Sequence, residues 1–320
     1  MDFRLTPDQI ALRDAVRDYL SAEHGPGVLR RLDAGDARDP AIRDGLVAMG
    51  LTGILIPADR GGLGLGLIEA ALVAIELGRA NVSEPIADTA LIAAALVDPA
   101  RQEAIAAGTL NVALAHPVNP WIADLDRADM VIGGEPPANP IALDSVDPLR
   151  RLFAAGNTHE TDGLLDRAAL VTAAQLIGGA ERMLALAIDY AGQRVQFGQP
   201  IGKFQAIKHH LATVATKIEF ARPVVLRAAD ALQHGDGRAP LHVSHAKVAA
   251  TDAAILAAEV AIQVHGAMGY TYEVDLHFWM KRAWALAGAW GDRAFHAHRI
   301  ERAVLDGGAA IGPTFTFAKE

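Results

Sequence analysis

Tyr190-Ala-Gly-Gln-Arg194-Val-Gln-Phe197-Gly198-Gln-Pro200-Ile201-Gly202-Lys-Phe204-Gln205 joins two long segments of helical apolar periodicity. Before it runs DRAALVTAAQLIGGAERMLALAIDYAGQRV, and after it FQAIKHHLATVATKIEFARPVVLRAADAL. Two more such segments follow, HVSHAKVAATDAAILAAEVAIQVHG and a last one from about Leu276 to Leu305. Four long helices separated by short turns at Gly198-Gln199-Pro200, Gly235-Asp236-Gly237 and Gly266 to Gly269 imply a four-helix bundle. Pro223 should kink the second helix, because proline lacks the amide donor and its ring crowds the preceding turn.

Upstream of the bundle the pattern is helical but shorter. Thr6-Pro7-Asp8-Gln9 supplies a capping hydroxyl, a helix-start proline and a Gln three residues after the cap, so a helix should run from here to about Ala22. Asp39-Pro40 opens a second that ends near Gly50, and Ile68 to about Ala80 has the spacing of a third. A fourth is expected after Pro85, and Asp98-Pro99 begins a short one closed by Gly108. Between Leu110 and Pro148 short apolar runs (NVALAH, DMVIGG, PIAL) alternate with Pro, Asn, Gly and Asp, which reads as a few short strands and turns. The expected fold is mainly α, divided into a helical layer over 1–109, a small β segment over 110–160 and the bundle over 161–320.

A chain of 320 residues with 51% hydrophobic content buries a substantial core without metals or disulfides. It has no cysteine, which excludes thiolate catalysis and cysteine-ligated metal. Net charge is −9, with acids and bases interleaved along the helices, which argues against a nucleic-acid surface. The start, MDFRLTPDQI, has no apolar core of a signal peptide, and no run approaches the roughly 18 uncharged residues of a membrane span. The expectation is a soluble, cytoplasmic protein without a membrane partner.

The segment from Tyr190 to Gln205 resembles the signature of the acyl-CoA dehydrogenase family. A second stretch, Gln263-Val-His265-Gly266-Ala267-Met-Gly269-Tyr270, is similar to the family's Gln-x-x-Gly-Gly-x-Gly turn at the same helix boundary, with Ala267 in place of the second glycine. A third, Gly50-Leu-Thr-Gly53-Ile-Leu-Ile-Pro57-Ala-Asp-Arg-Gly61-Gly62-Leu-Gly64, resembles the family's turn before the third helix. The resemblance implies FAD as cofactor, with the first turn reaching across a subunit interface to a neighbour's flavin. Arg194, Phe197 and Gln205 on that turn, and Gln263, Gly266 and Ala267 on the second, are then the cofactor-binding candidates. The chemistry is apt: a guanidinium offers phosphate oxygens a fixed planar fork of donors, and glycine lets backbone approach an anion closely.

What the resemblance implies mechanistically is α,β-dehydrogenation of an acyl-CoA: FAD takes a hydride from the β-carbon while a glutamate removes the α-proton. Counting from Glu273 puts Trp290, within Ala-Trp290-Gly291-Asp292, where that glutamate usually lies. The alternative family position, counted back from Tyr190, holds Ala168. The nearest acids, Asp292 and Asp166, are each displaced by two residues, and rate depends steeply on such placement. The full family β-domain's Thr-Glu-Pro and Trp-Ile-Thr-like elements are also missing; His116-Pro117 and Pro120-Trp121-Ile122 are distant counterparts.

A shortened sheet and a missing base resemble the shortened subunits of heteromeric acyl-CoA dehydrogenases. The leading expectation is therefore a heterotetramer with a full-length acyl-CoA dehydrogenase subunit, electrons leaving to an electron-transfer flavoprotein. The alternatives are an autonomous acyl-CoA dehydrogenase or oxidase with an unusual base such as Asp292, and a flavin-free structural subunit; a homotetramer is the alternative assembly. His209-His210, His242 with His245, and His296 with His298 lack the spacing of a metal site, so no metal is expected. Trp279, Trp284, Trp290, Phe278 and Phe295 fit a helix core better than an acyl pocket.

Overall fold

The computed structural model describes residues 3–310 and Gly312. The helical layer opens with α1 (Pro7–Glu23), where Thr6 accepts from the Gln9 amide while the Gln9 side chain accepts from the Thr6 amide. A short α2 (Pro26–Asp33) follows, which the sequence reading did not separate from a loop. Then come α3 (Pro40–Ala48), capped by Asp39, and α4 (Leu67–Ala80). The helix expected after Pro85 is a π-helical turn, Ala87–Ile92, continued by a single tight turn over Ala93–Ala95. Asp98 caps α5 (Pro99–Ala106).

The middle segment holds five strands of two or three residues. β1 (Val112–Leu114) pairs in parallel with β3 (Met130–Ile132), and β2 (Trp121–Ala123), β5 (Leu152–Ala154) and β4 (Ala142–Leu143) form an antiparallel sheet in that order. Such sheets are too small to stand alone. Their own core is a minor cluster of Ala113, Ala115, Ile122, Leu125 and Phe153.

The bundle comprises α6 (Leu164–Gln193), α7 (Gln205–Gln233), α8 (Ala239–His265) and a divided fourth member, α9 (Leu276–Gly288) and α10 (Arg293–Glu301). A two-stranded hairpin, β6 (Val195–Gln196) and β7 (Gln199–Pro200), links α6 to α7. α7 remains helical through Pro223. The expected single helix from Leu276 to Leu305 is broken after Gly288, because Trp290 and Gly291 take left-handed backbone (φ 58° and 87°) and Asp292 caps a new helix.

One buried cluster runs without interruption from Val16 and Leu20 of α1 through α4 to the centre of the bundle. Close approach of α4 and α6 depends on glycine: a Cβ on Gly178 would lie 1.8 Å from the Ile75 carbonyl oxygen, and one on Gly78 would lie 2.1 Å from that of Gln175. The helices at Leu164–Gln193 and Ala239–Tyr270 are long and apolar enough to cross a membrane, yet they pack on each other inside this core.

Candidate functional site

Two turns meet at one end of the bundle. The Tyr190 ring, near the end of α6, stacks on the His265 ring at the end of α8, with centroids 4.3 Å apart and planes 26° apart. His265 is fixed in turn by a 2.7 Å contact from its Nδ1 to the Ala261 carbonyl oxygen. This stack sets the Arg194 hairpin beside the turn that carries Gln263, Gly266 and Ala267.

The hairpin has the two-residue loop Phe197-Gly198, both left-handed (φ 52° and 78°), as a type I′ turn requires. Glycine adopts that backbone freely; phenylalanine does so at a cost of about 1–2 kcal/mol. Phe197 is 91% exposed, and its only ring neighbour among the described residues is Phe204, edge-on at 6.0 Å. Arg194 is exposed at the end of α6, its amide bonded to the Tyr190 carbonyl and its carbonyl accepting from Ile201 at 2.8 Å, while its guanidinium has no partner among the described residues. Gln205 and Gln263 are exposed as well. Gly266 has left-handed φ (62°) with open space where a Cβ would stand, and Ala267 is exposed beside it. The arrangement is a donor-rich, unpaired cationic edge next to a strained, protruding aromatic ring, which suits a phosphate-bearing ligand held by another molecule.

Where the catalytic glutamate was sought, Trp290 is 4% exposed. Its amide donates to Asn119 Oδ1 and its carbonyl accepts from His296 Nε2, both at 2.9 Å, and its ring lies 6.2 Å from that of His116. Burial pushes His296 down to about 4, so the ring is neutral with its proton on Nε2. Lys247, fully buried on α8, donates to the carbonyls of Leu286, Ala287 and Gly291 at 3.0–3.1 Å. Burial pushes its ammonium down to about 7, but three carbonyl acceptors at a helix C-terminus can be satisfied together only by –NH3+, which holds the proton. Sequence reasoning did not single out Asn119 or Lys247, since a lone Asn in a loop and a Lys on an apolar helix carry no pattern.

Trp290 also lines a cavity of about 50 Å³ between the helical layer, the middle segment and the bundle. Charged groups fill its surroundings. Arg38 pairs with Asp124 at 2.9 Å, Arg282 pairs with Asp147 and donates to the Val82 carbonyl at 3.0 Å, and Asp88 faces Arg150. Enclosure pushes Asp88 up to about 6 against the pull of Arg150, and burial lowers Arg150. The space admits a few waters and no acyl chain.

The other base candidates have structural duties. Ala168 is wholly buried. Asp166 accepts from Arg299 at 2.9 Å, and Asp292 is an exposed N-cap accepting from the Phe295 amide at 2.7 Å. Trp279 and Phe278 are core, whereas Trp284 and Phe295 are 40% and 37% exposed. Among the described residues no group of His, Cys, Asp or Glu could hold a metal ion.

The model of the acyl-CoA dehydrogenase N-terminal domain matches residues 6–105, and that of the C-terminal domain matches residues 160–305. The acyl-CoA dehydrogenase IpdE2 of Mycobacterium tuberculosis is 37% identical over 85% of this chain and 89% of its own length. FadE34 of the same organism is 32% identical over 92% of this chain and 48% of its own. Among solved structures, the ChsE4-ChsE5 complex from M. tuberculosis superposes with a TM-score of 0.82 at 22% identity, covering 95% of this chain and 99% of that one. Butyryl-CoA dehydrogenase from Megasphaera elsdenii gives 0.80 at 23% identity over 95% and 100%, a likeness of fold. The chain belongs to the acyl-CoA dehydrogenase family, oxidoreductases that act on CH–CH groups.

Proposed function

We propose that this chain is the base-less subunit of a heteromeric, FAD-dependent acyl-CoA dehydrogenase, pairing with a full-length subunit that supplies the glutamate. The observation that carries this reading is Trp290: the position of the base holds a buried indole, locked by Asn119 and His296, beside a cavity lined with ion pairs. Of the carboxylates around that cavity, Asp124 and Asp147 are paired with arginines and Asp88 faces Arg150. Arg194, Gln205 and Gln263 would hold FAD across a subunit interface, where it would supply the hydride acceptor.

The contribution of this chain is binding and orientation. Arg194 presents an unpaired guanidinium to a pyrophosphate, Gln205 and Gln263 add neutral donors, and the open side of Gly266 admits the phosphate oxygens. Phe197 extends from the hairpin as an apolar contact for the partner's flavin or the partner itself. Its strained backbone is kept because the two-residue turn points the ring outward. The existence of a two-protein complex among the structural neighbours is consistent with this assembly. Electron-transfer flavoprotein is the acceptor that family membership suggests.

The test is to purify the chain alone and with a co-expressed full-length homologue, and to record flavin absorbance with and without acyl-CoA. The isolated chain should be colourless, the complex should carry FAD, and Arg194→Ala should lower the FAD content of the complex. Flavin in the isolated chain that bleaches with acyl-CoA would show an autonomous enzyme, and an unchanged FAD content in Arg194→Ala would leave only a structural role.

A further inference from the structure

A second cavity, of about 230 Å³, opens between the end of α1, the start of α2, and helices α4, α6 and α9. Its walls carry three guanidinium groups, those of Arg17, Arg79 and Arg182, against a single carboxylate, Glu76. That carboxylate is already committed: Arg17 grips it through Nε at 3.0 Å and Nη2 at 2.6 Å, and it is 1% exposed. Arg79 reaches only Glu181, at 3.9 Å, and Glu181 is engaged more closely by Arg222 at 2.9 Å. Among the described residues Arg182 has no hydrogen bond or ion pair; its guanidinium lies over the Trp279 ring at 5.2 Å. Burial and then the neighbouring Arg79 press its pKa downward, against the pull of the Asp189 and Asp275 carboxylates.

The remaining wall adds neutral donors. Ser21 brings a hydroxyl at the end of α1, and Gly25 brings an amide just before Pro26, which has none, at the start of α2, an N-terminus that no side chain caps. Trp279 is itself held, its Nε1 donating to the Arg79 carbonyl at 2.9 Å, so the ring that orients Arg182 cannot swing away. Two guanidinium forks in excess over carboxylate, one fixed on an indole face, make a receptor for a tetrahedral dianion. A lone carboxylate would leave one guanidinium uncompensated.

We propose that this cavity binds a phosphate group, either inorganic phosphate or the phosphate of a small monoester, at a site separate from the flavin-facing turns. Calorimetric titration of the purified chain with inorganic phosphate, and in parallel with glycerol phosphate, tests it against sodium chloride at matched ionic strength. Phosphate should bind where chloride does not, and Arg182→Gln should weaken it at least tenfold while leaving thermal stability in chloride unchanged or raised, because a repulsion is removed. Arg79→Gln is the second variant should Arg182→Gln fail to fold. Tighter binding of glycerol phosphate than of phosphate assigns the site to a monoester, and the reverse assigns it to the free ion. Heat indistinguishable from that of chloride, or affinity unchanged in the arginine variant, overturns the proposal.

Discussion

His296 Nε2 donates to the carbonyl oxygen of Trp290 across a break between helices in which Trp290 and Gly291 are both left-handed. The bond holds an indole with positive φ, and it leaves no room for a side chain on Gly291, whose Cβ would lie 2.4 Å from Phe295 Cδ1 and 2.9 Å from His296 Nε2. The break, more than the identity of any one residue, fixes where the Trp290 side chain sits.

The first prediction is a pH effect. His296 titrates near 4 in the folded chain, below its unfolded value, so its contribution is present above about 6.5 and lost as pH falls through about 4. Urea unfolding between pH 7 and 4 should show up to about 3 kcal/mol of this loss. His296→Gln should flatten that slope.

Asp88 tilts the profile the other way. Its folded pKa of about 6 exceeds the unfolded value, so its contribution is present below about 4 and lost as pH rises through 6. Asp88→Asn should therefore steepen the rise in stability from pH 4 to 6 that His296 produces. Parallel denaturation series on the two variants check the opposite signs; slopes of the same sign refute the assignment.

Lys247→Met should cost about 2–4 kcal/mol, since three buried carbonyls lose their donor together. Equilibrium unfolding at pH 7 measures it. A loss within 0.5 kcal/mol would mean water replaces the ammonium without penalty, roughly the limit for an inert site.

Trp290→Glu should not create an enzyme. The new carboxylate would enter a site built around Asn119 and His296, next to ion pairs that edge a cavity too small for an acyl chain, at a cost of about 3 kcal/mol for an unpaired polar group. The isolated variant should give no acyl-CoA-dependent reduction of an artificial electron acceptor. Turnover would falsify the view that space, and not only the base, is missing.

Gly178→Ala should destabilise by about 2 kcal/mol or more, because overpacking at a backbone contact cannot be relieved by a rotamer change. Thermal unfolding reads this directly.

Much of the helical order follows from local chemistry. Thr6, Asp39 and Asp98 cap the helices they were expected to cap, since a cap is a short-range bond between a side chain and an amide two or three residues on. The runs NVALAH, DMVIGG and PIAL contain strands for a similar reason, although their pairing, β1 with β3 and β5 between β2 and β4, is not written in the runs themselves. The helix break at Trp290 was missed because a tryptophan in an apolar helical pattern signals continuation, and positive φ is imposed there from outside by Asn119, His296 and Lys247.

By itself the sequence determined the family, the residues of the two turns that resemble its signature, and the identities of Trp290 and Ala168 where the resemblance expects a glutamate, because these are matters of residue identity at fixed spacing along helices. The tertiary structure alone decided that the Arg194 hairpin and the Gly266 turn share one end of the bundle through Tyr190 and His265. It also decided that Trp290 is a buried indole beside a cavity edged by ion pairs, and that three arginines from α1, α4 and α6 converge on another cavity. The physical reason is range: caps and helical periods act over a few residues, whereas charge convergence and the filling of a cavity depend on side chains more than a hundred residues apart in the chain.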